Sequence, residues 1–261
     1  MPIPQKTSVL GVGVSRVDYE TAVGLVMDWA SRRQSRIVTA LAVHGVMAGA
    51  LDSELRSHLN RFDILTPDGQ PVRWALNLLA TQRRLHERVR GVELTEQTCA
   101  AAARGGIGVY LYGSRPDVVQ AMATRLREAY PGLRIVGVQA SRFREATPEE
   151  DAADVACMNR SGAGVVFVGL GCPLQEQWAY EHLGRVQAVM VCVGAAFDFL
   201  AGRLPQAPSW MQRAGLEWLF RLAQEPRRLW RRYAFYNPLF VGMVLLQLAG
   251  IRTFSNARPR A

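Results

Sequence analysis

The chain has 261 residues, 49% of them hydrophobic, enough for one large α/β domain or a domain plus an attached segment. Its four cysteines (Cys99, Cys157, Cys172 and Cys192) form no C-x-x-C pair, which argues against a disulfide framework and for reduced, mostly buried thiols in a cytosolic protein. The net charge of +9 is uneven: from Arg203 onward ten arginines face two glutamates, a local charge of +8, while the first 202 residues carry +1. Such asymmetry points to a partner for the C-terminal part. Only Lys6 among the 31 basic residues is lysine, a bias that base composition alone can produce. No long apolar core follows Met1, so no secretory signal is expected.

Residues 9–14 (Val-Leu-Gly-Val-Gly-Val) read as the first strand, and Asp18 as the cap of a helix to about Arg32. Position 16 is Arg, so the Gly11-x-Gly13 pair is not a dinucleotide fingerprint. A second strand over 36–41 leads into a helix start bearing His44. With no second histidine or cysteine nearby, this imidazole is either a hydrogen-bonded structural group or a base or ligand. The apolar run Ile64-Leu65 ends at Pro67, and an amphipathic run begins after Gly69. That pattern predicts a strand delivering Asp68 to a turn, with Gly69 allowing a sharp bend and Pro71 opening a helix over 70–80. Turns at the carboxyl ends of strands are where open α/β sheets hold ligands. Aspartate is also a common helix cap, and the local sequence leaves both roles open. The basic connection 82–91 then reads as a solvated loop whose arginines share an edge of the sheet with Asp68.

A second β-α rhythm follows. Strand 108–112, the Gly113-Ser114 turn and a helix over 116–130 precede a strand at 133–138. Thr147 caps a helix with Pro148 in its first turn. Strand 165–168 runs into Gly169-Leu170-Gly171, and strand 189–193 into Gly194-Ala195-Ala196-Phe197-Asp198. Alternation of this kind predicts an α/β fold, a Rossmann-like, mostly parallel sheet with helices on both faces. Gly169 and Gly171, between an apolar strand and a helix start, suit an anion, although glycines also serve close packing. Gln175 and Glu176, one turn further on, are within reach of a ribose or sugar hydroxyl.

From Arg203 the rhythm changes to Trp-, Leu- and Arg-rich helices punctuated by Pro205, Pro208, Pro226 and Pro238. The division expected is an α/β core over 1–202 and a basic helical appendage over 203–261. The apolar run 239–251 is short of the roughly 20 residues that span a bilayer. Arginine and tryptophan beside it suit a peripheral position on an anionic membrane surface, the alternative being a packed helix with a charged face. Lipid is favoured over nucleic acid as the partner of this charge.

No H-E-x-x-H, G-x-S-x-G or P-loop occurs, which argues against zinc hydrolases, serine hydrolases and P-loop NTPases. Nor is there a D-x-D to hold a metal on a nucleotide diphosphate, so arginines and helix amides must neutralise one. Six segments in order, however, resemble the WecG/TagA/CpsF glycosyltransferases (glycosyltransferase family 26) over about residues 8–235. They are Thr66-Pro67-Asp68-Gly69, Arg88-Val89-x-Gly91, Val168-Gly169-Leu170-Gly171-x-Pro173-x-Gln175-Glu176, Gly194-Ala195-x-Phe197-Asp198, Ala207-Pro208 and Leu216-Glu217-Trp218-Leu219-x-Arg221.

The resemblance implies inverting, metal-independent transfer from a UDP-sugar to a polyprenyl-diphosphate-linked sugar, without a cofactor, at the cytoplasmic face of the plasma membrane. It implies Asp68 as general base and Arg88 as stabiliser of the departing UDP or the acceptor diphosphate. Thr39 and Gln175 lie beside the site, and Arg221 belongs to an appendage that helps close it. Gly69, Gly113, Gly169, Gly171, Glu176 and Asp198 complete the expected substrate-binding set. Many members carry Thr-x-Asn on the second strand, where this chain has Thr39-x-Leu41. The missing amide points away from N-acetylmannosamine and towards a plain hexose such as glucose, as in exopolysaccharide members, with His44 contributing a contact instead. UDP-glucose and a UDP-N-acetylmannosamine-type donor both stay open, as does a homo-oligomeric state. A non-catalytic membrane-associated scaffold is the rival from another class, and the retained Asp68, Arg88 and Gln175 argue against it. A soluble nicotinamide-dependent oxidoreductase lacks the fingerprint and has no use for the basic tail.

Overall fold

The computed structural model describes residues 2–80, 84–252 and 254. Gln82 and Arg83 of the basic connection, and Arg258 and Arg260 of the tail, lie outside the described residues.

Strands Lys6–Val9 (β1) and Val12–Ser15 (β2) pair antiparallel as a hairpin, with Val9 opposite Val12. The single strand expected over 9–14 is therefore broken at Leu10-Gly11, whose φ angles of 55° and 86° make the two-residue turn that hairpins favour. A left-handed leucine costs about 1–2 kcal/mol. This one is held by the side-chain amide of Gln247, whose Oε1 accepts from Leu10 N–H and whose Nε2 donates to Ser8 C=O, both at 2.9 Å.

The chain then alternates: α1 (Tyr19–Ser31), β3 (Arg36–Leu41), α2 (Val43–Leu51), α3 (Ser53–Asn60), β4 (Ile64–Pro67), α4 (Gln70–Leu79), α5 (Gly91–Gly105), β5 (Gly108–Gly113) and α6 (Pro116–Ala129). It continues with β6 (Arg134–Gln139), α7 (Pro148–Arg160), β7 (Ala163–Gly169), α8 (Leu174–Glu181), β8 (Val189–Cys192) and α9 (Ala196–Leu200). Local capping chemistry sets several boundaries. Asp18 accepts from Thr21 N–H at 2.9 Å, and Thr147 with Glu150 forms a reciprocal capping box ahead of Pro148.

β3 to β8 form one sheet in the order β4-β3-β8-β7-β5-β6, with every neighbouring pair parallel. Ile37, Leu65, Val166 and Met190 point to the face covered by α2, α3, α4, α7 and α8, while Val38, Ile64, Val165 and Val191 point to the face covered by α1, α5, α6 and α9. Burial on both sides explains why these strands read as continuous apolar runs.

Three helices follow: α10 (Ser209–Arg213), α11 (Glu217–Gln224) and α12 (Pro226–Leu248). Pro238, expected to separate two helices, lies inside α12. An interior proline costs about 3 kcal/mol. Burial of Leu229 before it and of Phe240, Met243 and Val244 after it, the last three in the same core as α2 and α3, keeps the helix continuous. No described helix is long and apolar enough to cross a membrane.

Replacing Gln247 with Met leaves the buried Leu10 N–H and the Ser8 C=O without this partner. Urea unfolding is expected to show a loss of about 1–3 kcal/mol. A change below about 0.5 kcal/mol would mean that the hairpin holds its turn unaided.

Candidate active site

The carboxyl ends of the parallel strands share one edge, and that edge collects the chain's buried polar chemistry. Asp68 follows β4 directly, its backbone N–H shared between Leu41 C=O at 3.2 Å and Thr66 C=O at 3.0 Å. The capping role left open by the sequence is not observed: Gly69 is the N-cap of α4, and no side chain caps that helix. Gly69 itself is ordinary extended backbone (φ −77°, ψ 137°), so no glycine-only conformation makes the turn. Among the described residues the Asp68 carboxylate takes no hydrogen bond. Burial pushes this carboxyl up to about 6, with Arg88 opposing, Glu217 adding, and Arg90 and Glu93 contributing less.

Arg88 donates through Nη2 to Glu217 Oε2 at 2.5 Å and through Nη1 to the Asp68 carbonyl at 3.3 Å. Arg90, buried at the N-cap of α5, binds Glu93, Gln212 at 2.6 Å and the other Glu217 oxygen at 3.3 Å. Glu217, the first residue of α11, thus bridges two arginines of the loop ahead of α5. Glu217 was visible in sequence only as a letter of the shared pattern, and Arg90 only as one of the arginines of the basic connection.

A second cluster lies at the ends of β3, β7 and β8. Thr39 is fully buried, and its hydroxyl donates to Glu176 Oε1 at 2.8 Å. The same oxygen accepts from Gln175 Nε2 at 2.8 Å. Gln175 Oε1 and Glu176 Oε2 are buried with no hydrogen-bond partner. Burial raises the Glu176 carboxyl above the usual range, the bonds from Gln175 and Thr39 opposing. His44, at the start of α2, sits with its ring 5.2 Å from that of Tyr236 on α12. Burial first, and then the Arg232 charge, hold its imidazole down to about 4, so it is neutral near pH 7 and its buried Nδ1 has no partner. Cys172 feels both Glu176 and Arg232, which joins these two groups of residues.

Asp198, on α9, faces Arg115, Arg228 and Arg221, and burial nevertheless raises its carboxyl. Arg221 stacks over Phe199 at 5.5 Å. Among Arg227, Arg228, Arg231 and Arg232 of α12, Arg232 lies beside His44 and Arg228 beside Asp198. Two glycines of the expected substrate-binding set have packing reasons. A Cβ on Gly169 would come 2.6 Å from the Phe197 ring, and one on Gly113 would come 2.7 Å from the Gly169 backbone. Gly171 (φ 82°) faces open space. Among the described residues no group of His, Cys, Asp and Glu is arranged to hold a metal ion.

An open parallel sheet with arginines, a proton-hungry carboxylate and unpaired acceptors along its carboxyl edge has the makings of a group-transfer site. The sequence matches the glycosyl transferase WecG/TagA/CpsF family over residues 7–253, and the chain belongs to that family of glycosyltransferases. A relative from Bacillus subtilis (strain 168) is 29% identical over 220 residues, covering 84% of this chain and 80% of its own. That protein is an N-acetylglucosaminyldiphosphoundecaprenol N-acetyl-beta-D-mannosaminyltransferase.

Glu217→Gln keeps the shape but removes the charge that Arg88 and Arg90 share. The expected loss of stability is about 1.5–3 kcal/mol, typical of hydrogen bonds to charged groups. Because Glu217 raises the Asp68 carboxyl, its neutralisation lowers the pH at which Asp68 titrates. Carbon-13 titration of labelled aspartates checks the direction, and an unmoved Asp68 would show that the bridge has no electrostatic reach.

Proposed function

We propose that this enzyme moves a sugar from a UDP-sugar to a polyprenyl-diphosphate-linked sugar by a single, inverting displacement, with Asp68 as general base. The observation that carries this reading is Asp68 itself, a carboxylate at a strand end with no hydrogen bond among the described residues and a proton affinity raised by burial to about 6. A base is most effective when its affinity lies near the working pH. Asp68 takes the proton of the acceptor hydroxyl as that oxygen bonds to the anomeric carbon, and the bond from that carbon to the UDP oxygen breaks. Arg88, hydrogen-bonded to the backbone carbonyl of Asp68, and the arginines facing Asp198 compensate the leaving diphosphate without a metal.

The B. subtilis relative's name supports a diphosphate-lipid-linked N-acetylglucosamine as acceptor. For the donor, Leu41 packs against Gly45 at the end of β3 and offers no amide, which favours a plain hexose such as glucose over N-acetylmannosamine. An exopolysaccharide-type product fits that choice.

The helices beyond residue 202 supply the membrane contact in this reading, at the cytoplasmic face. The buried side of α12 joins the core, while Val241 (55% exposed), Leu245 (59%) and Leu248 (40%) line its outer side with Trp230 and the exposed Arg227 and Arg231 nearer its start. A basic end followed by an apolar stripe suits the interface of an anionic bilayer.

Asp68→Asn is expected to lower turnover by about 10²–10⁴-fold, the usual worth of a general base. Its melting temperature at neutral pH should equal or exceed the parent's, since ionising a buried carboxyl opposes folding above its ordinary titration range. In the parent, kcat/KM should rise with pH through about 6 as Asp68 loses its proton, and Asp68→Asn should lack that limb. Full activity in Asp68→Asn would refute the base, and no UDP release from any donor with chelator present would favour the scaffold. Val241→Glu with Leu245→Glu should shift the protein out of the vesicle fraction in flotation on anionic liposomes, with unchanged melting. Unaltered partitioning would remove the membrane role of α12.

A further inference from the structure

Gln175 is 3% exposed and Glu176 1%, yet each keeps a buried oxygen without a partner at the strand edge. A buried, unpaired acceptor costs about 1–3 kcal/mol, so two neighbouring ones call for something to satisfy them. Two donors are already used, the Thr39 hydroxyl and the Gln175 amide N–H pointing at the same Glu176 oxygen, each at 2.8 Å, and the Cys172 thiol also lies against Glu176. Glu176 Oε1 accepts from the Gln175 amide, so the amide nitrogen is turned towards Glu176 and its carbonyl oxygen away from it. That oxygen lies beside Gly194, where a Cβ would come 3.1 Å from it, so any side chain at 194 would crowd the carbonyl. The side chain of Leu41, two residues beyond Thr39 on the same strand, contributes neither donor nor acceptor.

We propose that Glu176 is a positioning residue that locks Gln175 as a hydrogen-bond acceptor, making this end of β3 and β8 a subsite for a hydroxyl group of the UDP-sugar that donates. The assignment rests on the transferase reading and deepens it. It also separates the substrate's two chemistries. A phosphate offers only acceptors and has no proton to give Gln175 Oε1, so the diphosphate goes to the arginines and the hydroxyl-bearing part comes here. Selection among sugars follows from which hydroxyl reaches Gln175 Oε1.

The test uses calorimetric binding of UDP-glucose to the full chain without acceptor, together with its deoxyfluoro analogues, altered one position at a time on the hexose or the ribose. Fluorine accepts weakly and cannot donate, so it reports on the direction of the bond. The parent should lose about tenfold or more in affinity for one analogue, as sites built around a hydroxyl do. Glu176→Gln, in which the Gln175 amide is no longer locked, should bind UDP-glucose about tenfold more weakly and no longer distinguish that analogue. Gln175→Met, which removes the acceptor and leaves Glu176 and Thr39 paired, should do the same if Glu176→Gln does not fold. A penalty on a hexose position assigns the subsite to the transferred sugar, and one on the ribose assigns it to the nucleoside. Parent binding that is indifferent to every fluorine, or a Glu176→Gln protein that keeps the parent's discrimination, overturns the proposal. Absence of any UDP-sugar binding by the parent would instead sink the transferase reading.

Discussion

Burial of the parallel sheet on both faces decides where this protein can do chemistry. Strand interiors such as Val165-Val166-Phe167-Val168 have side chains packed against helices above and below, so charge is admissible only at the ends. The amino ends receive the chain from surface loops. The carboxyl ends therefore gather Asp68, Arg88, Gln175 and Glu176, each one to a few residues past or beside a strand terminus. Neutral hydroxyls are tolerated inside strands where they find an acceptor, Thr39 of β3 on Glu176 and Thr66 of β4 on the Val89 carbonyl.

The raised proton affinity of Asp68 beside two arginines follows from how those arginines are committed. Arg88 gives one nitrogen to Glu217 and another to the Asp68 backbone carbonyl, so its charge is largely balanced before the Asp68 carboxylate is considered. Arg90 is likewise divided between Glu93 and Glu217. What reaches Asp68 is the field of nearly neutral clusters, weaker than that of a free guanidinium, and the loss of hydration prevails. The Asp68 carboxyl is thus tuned through Glu217, which lies 129 residues beyond its partner Arg88.

Features coded by local chemistry were legible in the sequence: the Asp18 cap, the Thr147–Glu150 box, Pro71 and Pro116 in first turns, and apolar strands alternating with helices. Features that depend on distant contacts were not. Leucine carries no preference for positive φ, and the Leu10-Gly11 turn stands because Gln247 grips it from 237 residues away. Asp68-Gly69-Gln70 is equally good local grammar for a capped helix and for an uncapped one with a free carboxylate. Gly169 looked like a phosphate turn, but the Phe197 ring already fills the space a side chain would need. Pro238 reads as a helix boundary until the burial on both sides of it is seen. The six shared segments brought the candidate residues to notice, and only the fold shows which of them touch.

The basic C-terminal stretch, a single signal in composition, resolves into two groups with opposite orientations. Arg221 and Arg232 turn inward, each with a buried Nε, towards Asp198 and His44. Arg227 and Arg231 stay exposed near the start of α12, ahead of its outward apolar stripe. A lipid-linked diphosphate has the same polarity, with a charged head needing arginines and a hydrocarbon tail needing an apolar surface. In the proposed function both halves of that acceptor meet α12, the head on its inner side and the tail along its outer one. A purely water-soluble acceptor would leave the outer stripe without a purpose, and a purely structural role would leave the buried Nε atoms of Arg221 and Arg232 without a hydrogen-bond partner.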